Sequence, residues 1–207
     1  MAVDLTLLER IDAQRRRDGL LTVAEIVDRV GATNRVYDPF SLIVSRGVTI
    51  GRGNVFHPAV SLMASADAEL TIGDENIFHP LTAMSAESGP LAVGSGNQFG
   101  EGGFTARTNR AGASIAIGDG GRYLGGAAVY GASRLGSGSQ ILGAVTAESV
   151  VLEAGGDFRS PDPDERAGLL KGFGPARRLT VPRGRVIAGA GGFSADRLQL
   201  QSDFHPA

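Results

Sequence analysis

The chain has 207 residues, with 20 basic against 22 acidic side chains and a formal net charge of −2. That balance gives no electrostatic reason to expect a nucleic acid or an anionic membrane as partner. Cysteine is absent, which excludes a disulfide framework, thiol catalysis and any thiolate metal site. Glycine fills 31 positions, roughly twice the usual share, yet 42% of the residues are apolar, so a sizeable core can form. The start Met1-Ala2-Val3-Asp4 lacks a charged-then-apolar leader, and no apolar run approaches the roughly 18 residues of a membrane span. The expectation is a soluble, cytoplasmic chain.

Residues 1–38 read as a helical cover. Asp4 is placed to cap a first helix with Leu5, Leu8 and Ile11 on one face, ending in Arg15-Arg16-Arg17 where basic groups suit the helix dipole. Thr22 and Glu25 form a capping box, and Val23, Ile26, Val27 and Val30 make an apolar stripe that stops at Gly31. A helix-turn-helix would need its recognition helix next, but Asp38-Pro39 cuts that short. The helices are instead expected to cover the open first coil of a repeat region that begins at residue 39.

From 39 to 155 the period is six. Aliphatic–glycine dyads occur at Ile50-Gly51, Ile72-Gly73, Val93-Gly94, Ile117-Gly118 and Leu135-Gly136. Steps of six from each dyad give Ile50, Phe56, Leu62; Ile72, Phe78, Met84; Val93, Phe99, Thr105; Ile117, Tyr123, Val129; and Leu135, Ile141, Ala147. Neither a helix nor an ordinary alternating strand has this period. It fits a short strand plus a corner, three of which close a triangular coil whose successive turns stack at the parallel-strand spacing of about 4.8 Å. The dyad residues would then line a shared interior seam. Asn54, Asn76 and Asn97 would form an amide ladder, beside an aromatic column of Phe56, Phe78, Phe99 and Tyr123. Extra residues around 64–69, 86–90 and 106–113 would extend one corner of successive coils as a row of loops.

Between 156 and 178 the phase is lost. Asp162 and Pro163 are expected to open a short helix running to about Lys171 and stopped by Gly172, an insertion before the closing coil and tail at 179–207.

These hexads, with Val181-Pro182-Arg183-Gly184-Arg185-Val186-Ile187-Ala188-Gly189-Ala190, resemble the hexapeptide-repeat, left-handed parallel β-helix superfamily. That group includes trimeric acyltransferases and γ-class carbonic anhydrases. The resemblance implies an all-β solenoid, a left-handed parallel β-helix, to which the residues add short N-terminal helices and a helical insertion before the last coil; it also implies a homo-oligomer with a trimer as the default. It fixes fold better than activity, since one fold hosts many functions. The run from Val48 to Ala59 and Leu70 to Asn76 is also similar to the small β-helical pointed-end subunits of dynactin, where the solenoid acts as an adaptor.

The candidate chemistry centres on two histidines. His57 and His79 occupy equivalent outward sites in Asn54-Val55-Phe56-His57-Pro58 and Asn76-Ile77-Phe78-His79-Pro80; the third histidine is His205. In an acyltransferase an outward His57 or His79 would act as general base, with Glu101 or Glu75 orienting it. Acetyl-CoA or another acyl-CoA would lie along the coils, and Arg107, Arg110 and Arg122 would meet its phosphates. A γ-class carbonic anhydrase needs three zinc histidines, two of them five residues apart, and this chain has no His-x-x-x-x-His; no metal ligand is assigned, and a zinc enzyme with a modified site of His57 and His79 across an interface stands as the least favoured alternative. The repeat columns are dominated by packing residues, which favours a catalytically degenerate binding or assembly scaffold with protein partners.

Overall fold

The computed structural model describes residues 5–204. Its body is a three-walled prism in which every strand of a wall pairs in parallel with the equivalent strand one winding away. The first wall contains strands 55–56, 77–78, 98–100, 122–124 and 140–142; the second 61–64, 82–86, 104–107, 127–130 and 145–148; the third 70–72, 91–93, 114–117 and 132–135. The third wall is a 7-stranded sheet with one strand per winding. The seam expected from the dyads is present: Ile50, Ile72, Val93, Ile117 and Leu135 stand in unbroken register, and the last four are buried. Facing it, the rings of Phe56, Phe78, Phe99 and Tyr123 stack with centroids 4.9, 5.2 and 5.4 Å apart, spacings close to that between adjacent strands.

The amide ladder forms and begins one winding earlier than its expected three members. Asn34, Asn54, Asn76 and Asn97 each accept, through Oδ1, the backbone N–H of the ladder residue in the next winding, and Asn97 passes the pattern to Gly121. Asn54, Asn76 and Asn97 are wholly buried. Buried amides are tolerated because every strong donor and acceptor finds a partner in the stack.

Thr105 departs from the expected hexad. Ala106 stands in register with Met84 and faces the core, because the corner Gly100-Glu101-Gly102-Gly103 holds one residue more than its predecessor His79-Pro80-Leu81. The expected helix from Asp162 to Lys171 is also corrected. Asp162 does cap, its side chain accepting from Asp164 N, but the helix is a single 3₁₀ turn over Pro163–Glu165, ended by extended Arg166. Leu169–Arg177 is a nine-residue strand that rejoins the prism, with Leu170 in register with Ile141 and Ala176 with Ala147. Gly172, expected to stop a helix, sits at φ +115° at the corner between first and second walls. Leu170 follows Leu152 by 18 residues where a hexad would need six, so the excursion adds a dozen residues at one corner.

At the open end, Thr22 and Glu25 make the capping box for Val23–Glu25, and the helix continues through a wide π turn over Ile26–Val30. Leu21, Ile26 and Val30 join the core formed by Leu42 and Val44. Val27, expected in the same stripe, is exposed. The first helix, Leu5–Arg17, docks through polar side chains rather than through Leu8 and Ile11. Asp12 accepts from Val23 N, and buried Arg15 donates to the carbonyls of Leu21, Phe40 and Leu42. Asp4, the expected cap of that helix, lies outside the described residues. At the far end Leu198–Leu200 pairs antiparallel with Arg185–Ala190, covering the last parallel edge. Among the described residues no helix is long and apolar enough to cross a membrane.

Candidate functional site

The first wall presents two outward columns that flank its buried one. The residue after each inward position gives Tyr37, His57 and His79, each one place beyond a registered pair, then Gly100, Leu124, Leu142 and Lys171, each in register with the next. The expected juxtaposition of His57 and His79 therefore holds: their rings stack with centroids 5.0 Å apart and planes 17° from parallel. Tyr37 extends the stack, 4.9 Å from His57. Sequence reading missed Tyr37, although Asn34-Arg35-Val36-Tyr37 repeats the Asn-x-apolar-aromatic pattern of the two histidine segments.

Above His79 the column has no side chain. A Cβ on Gly100 would stand 2.5 Å from the Cβ of His79, and Gly100 has φ +107°. Glycine is needed there on both counts. The opening lets Glu101 reach back, and its Oε1 lies 3.8 Å from His79 Nε2. Among the described residues Glu75, the other carboxylate expected to orient a histidine, forms no ion pair with either one, and the only such pair in this column is His79 with Glu101. Burial pushes the His57 imidazole below its ordinary pKa, and the neighbouring His79 adds to the effect in the same direction. A neutral His57 stacked on the His79 ring is the arrangement this surface favours.

The corner beside the histidines is conformationally costly. Ala59 and Leu81 follow Pro58 and Pro80 with φ of +62° and +65°. Proline followed by a left-handed residue suits a type II turn, but that second position ordinarily takes glycine. Later windings use Gly102, Gly125 and Gly143 at the same corner, all with positive φ. Leu81 nevertheless leaves 68% of its surface exposed. Tyr37, Phe40 and Phe173 are exposed on the same edge.

The arginines do not assemble around the histidines. Arg107 is held by Glu87, through Nε at 3.0 Å and Nη2 at 2.6 Å. Arg110 pairs with Glu148 at 2.6 Å, and Arg177 reaches the same carboxylate at 3.3 Å. These pairs cross-link the loops at the second corner. Arg122 alone belongs to the first wall, in register with Gln98 and Gln140. His205 lies outside the described residues. Among the described residues no group of three or more His, Asp or Glu could hold a metal ion.

Stacked parallel walls closed by three corners place this fold. The chain is a parallel β-helix. No family model matches it and no curated protein matches it. Solved structures do match, among them LpxA from Acinetobacter baumannii. That likeness has 13% sequence identity and a TM-score of 0.33, and covers 77% of this chain and 70% of the other.

Proposed function

We propose that this β-helix is a binding and assembly scaffold whose working surface is the first corner, with Tyr37, His57, His79 and Leu81 at its centre, and whose partner there is a second copy of the chain. A homotrimer is the assembly implied by the superfamily resemblance. The observation that carries the reading is Leu81. A leucine held in the left-handed region costs about 1–2 kcal/mol, and this one leaves most of its surface exposed. Such a residue serves something outside the fold more readily than the fold itself. The histidines support the same reading, since they pack on each other rather than lining a cavity.

Replacement of Leu81 by glycine separates the two roles. Removing the strain should raise the stability of the isolated protomer by about 1 kcal/mol. Removing the side chain should weaken association, read by light scattering coupled to size exclusion across a concentration series. A wild-type chain that stays monomeric at every concentration would overturn the assembly reading, as would an L81G chain that associates as well as wild type.

One observation favours a second reading, CoA-dependent acyl transfer: Glu101 lies within 3.8 Å of His79 Nε2. In that reading His79 takes the proton of an acceptor hydroxyl or amine as that atom attacks the acyl-CoA thioester carbonyl, Glu101 steadies the imidazolium that forms, and the C–S bond breaks to release CoA, whose thiolate takes the proton back from His79. Thermal stabilisation by acetyl-CoA, lost in His79→Ala, supports this reading; no shift with acetyl-CoA counts against it.

A further inference from the structure

The dozen extra residues before the last full winding create a feature that the histidine corner does not use. They fold back over the outer face of the first wall and enclose a recess of about 330 Å³. Arg122, Gln140, Leu142, Phe158, Arg166 and Lys171 line it. Phe158 comes from the excursion, and its ring centre lies 4.3 Å from the guanidinium carbon of Arg122 and 4.8 Å from that of Arg159. Arg166 is anchored by two hydrogen bonds to the carbonyl of Ser160, from Nε at 2.9 Å and Nη2 at 2.7 Å. The aromatic lid and one of the cations are thus fixed by the same short segment.

The charge in this recess is unbalanced. Three cationic side chains line it and, among the described residues, no carboxylate does, in a chain whose net charge is −2. Every other arginine named for a ligand has a counter-ion: Arg107 has Glu87, and Arg110 has Glu148. Arg122 has none among the described residues, and its Nε is buried without any hydrogen-bond acceptor. Lys171 has no ion pair among the described residues, and its Nζ lies 5.6 Å from the centre of the Phe204 ring. Cations gathered in a recess without a counter-ion are costly, and an anion bound among them would offset that cost.

We propose that this recess binds a small organic phosphate, a monoester dianion whose oxygens meet Arg122, Lys171 and the Gln140 amide while its organic group lies against Phe158 and Leu142. The guanidinium and ammonium donors favour phosphate oxygens, and three positive charges match a dianion better than a single carboxylate. The volume sits at the lower end of the roughly 300–1,000 Å³ of ligand pockets. It suits a phosphate with one small apolar substituent and is too small for a whole nucleotide cofactor.

Calorimetric titration of the full chain with phenyl phosphate at pH 7.5 tests the assignment, with phenol as the neutral probe and benzoate as the monoanion. The expected result is one site per chain for phenyl phosphate, weaker binding of benzoate and none of phenol. Lys171→Gln and Arg122→Gln should each weaken phenyl phosphate about tenfold or more. Arg159→Gln, which flanks Phe158 but does not line the recess, should bind as wild type does. Lys171 is exposed, so its variant keeps the test intact if loss of the Arg122–Phe158 stack impairs folding. Absence of heat with phenyl phosphate at millimolar concentration would overturn the proposal. So would benzoate binding as tightly as phenyl phosphate, or Lys171→Gln binding as tightly as Arg159→Gln.

Discussion

Replacing Asn76 by alanine tests the principle that holds the windings together. Asn76 is wholly buried. Its Oδ1 accepts the backbone N–H of Asn97 at 2.9 Å and the Asn97 amide at 3.0 Å, and its Nδ2 donates to Asn54 Oδ1 and to the Gly94 carbonyl, both at 3.0 Å. Alanine removes all four bonds. Asn54 Oδ1 keeps the backbone N–H of position 76, and the Asn97 amide keeps Gly118. The groups orphaned in a dry layer are therefore the Asn97 N–H, one Asn97 amide hydrogen and the Gly94 carbonyl. At about 1–3 kcal/mol for each buried unsatisfied group, with partial relaxation, the total comes to about 3–5 kcal/mol. Asn34→Ala is the control. It sits at the open end of the same ladder, only half-buried, where water can replace what is lost, so its cost should be nearer 1 kcal/mol. Urea unfolding followed by far-ultraviolet circular dichroism measures both, with the slope checked so that midpoints can be compared. If Asn76→Ala costs under about 1 kcal/mol, or no more than Asn34→Ala, the ladder contributes shape rather than hydrogen bonding and the reasoning fails.

Gly100→Ala would place a Cβ against that of His79 on a backbone with φ +107°. It should cost roughly 2 kcal/mol or more in urea unfolding and shift the His79 ring resonances in an NMR spectrum, while Gly192→Ala, in open space, should do neither. Stability should fall on acidification in two separate ranges. The pKa of His57 is lowered by folding, so the native state binds its proton less tightly than the unfolded chain, and stability drops as pH falls below the ordinary histidine value, a slope absent from His57→Phe. Hydrogen bonds from Arg46 and the Thr22 backbone hold Glu25 at about 2 against 4.5, so its contribution is whole above 4.5 and lost as pH falls towards 2. Solvent screening of this partly exposed pair keeps that contribution to about 1 kcal/mol, and a pH series on Glu25→Ala should show the lower slope flattened.

The period of six was sufficient to find the prism because each inward side chain packs on copies of itself. A mistake in any one winding is corrected by its neighbours in the column. Ile50, Ile72, Val93, Ile117 and Leu135 could be aligned from their glycines alone. Thr105 could not be placed correctly, because one added corner residue shifts everything after it within that winding and leaves the next winding untouched. The strand Leu169–Arg177 was hidden for a related reason. Asp162-Pro163 is a sound helix start, and it does start one; what ends it is a core demand for Leu170 and Ala176 that only the stack reveals. Polar docking of the first helix was equally invisible, since Asp12 and Arg15 act on backbone groups far away in sequence.

The site was legible where it follows the repeat and obscure where it depends on the absence of partners. Stacking of His57 on His79 follows from equivalent positions in successive windings. That Arg107 and Arg110 are already engaged, while Arg122 is not, follows from loops and an excursion outside the phase. The same accounting explains why both candidate surfaces lie on the first wall. At the second corner the charged groups are taken up by Glu87 and Glu148. At the third, Asp74, Ser95, Asp119 and Ser137 each accept a backbone N–H from the preceding winding, leaving a surface whose polar groups serve the stack. The first wall and its corner retain an exposed leucine on costly backbone, a stacked pair of imidazoles of which only His79 has a carboxylate nearby, and a guanidinium with no acceptor among the described residues. Those are groups whose placement the fold does not repay, and a partner or ligand acting on this chain has most to gain by meeting them there.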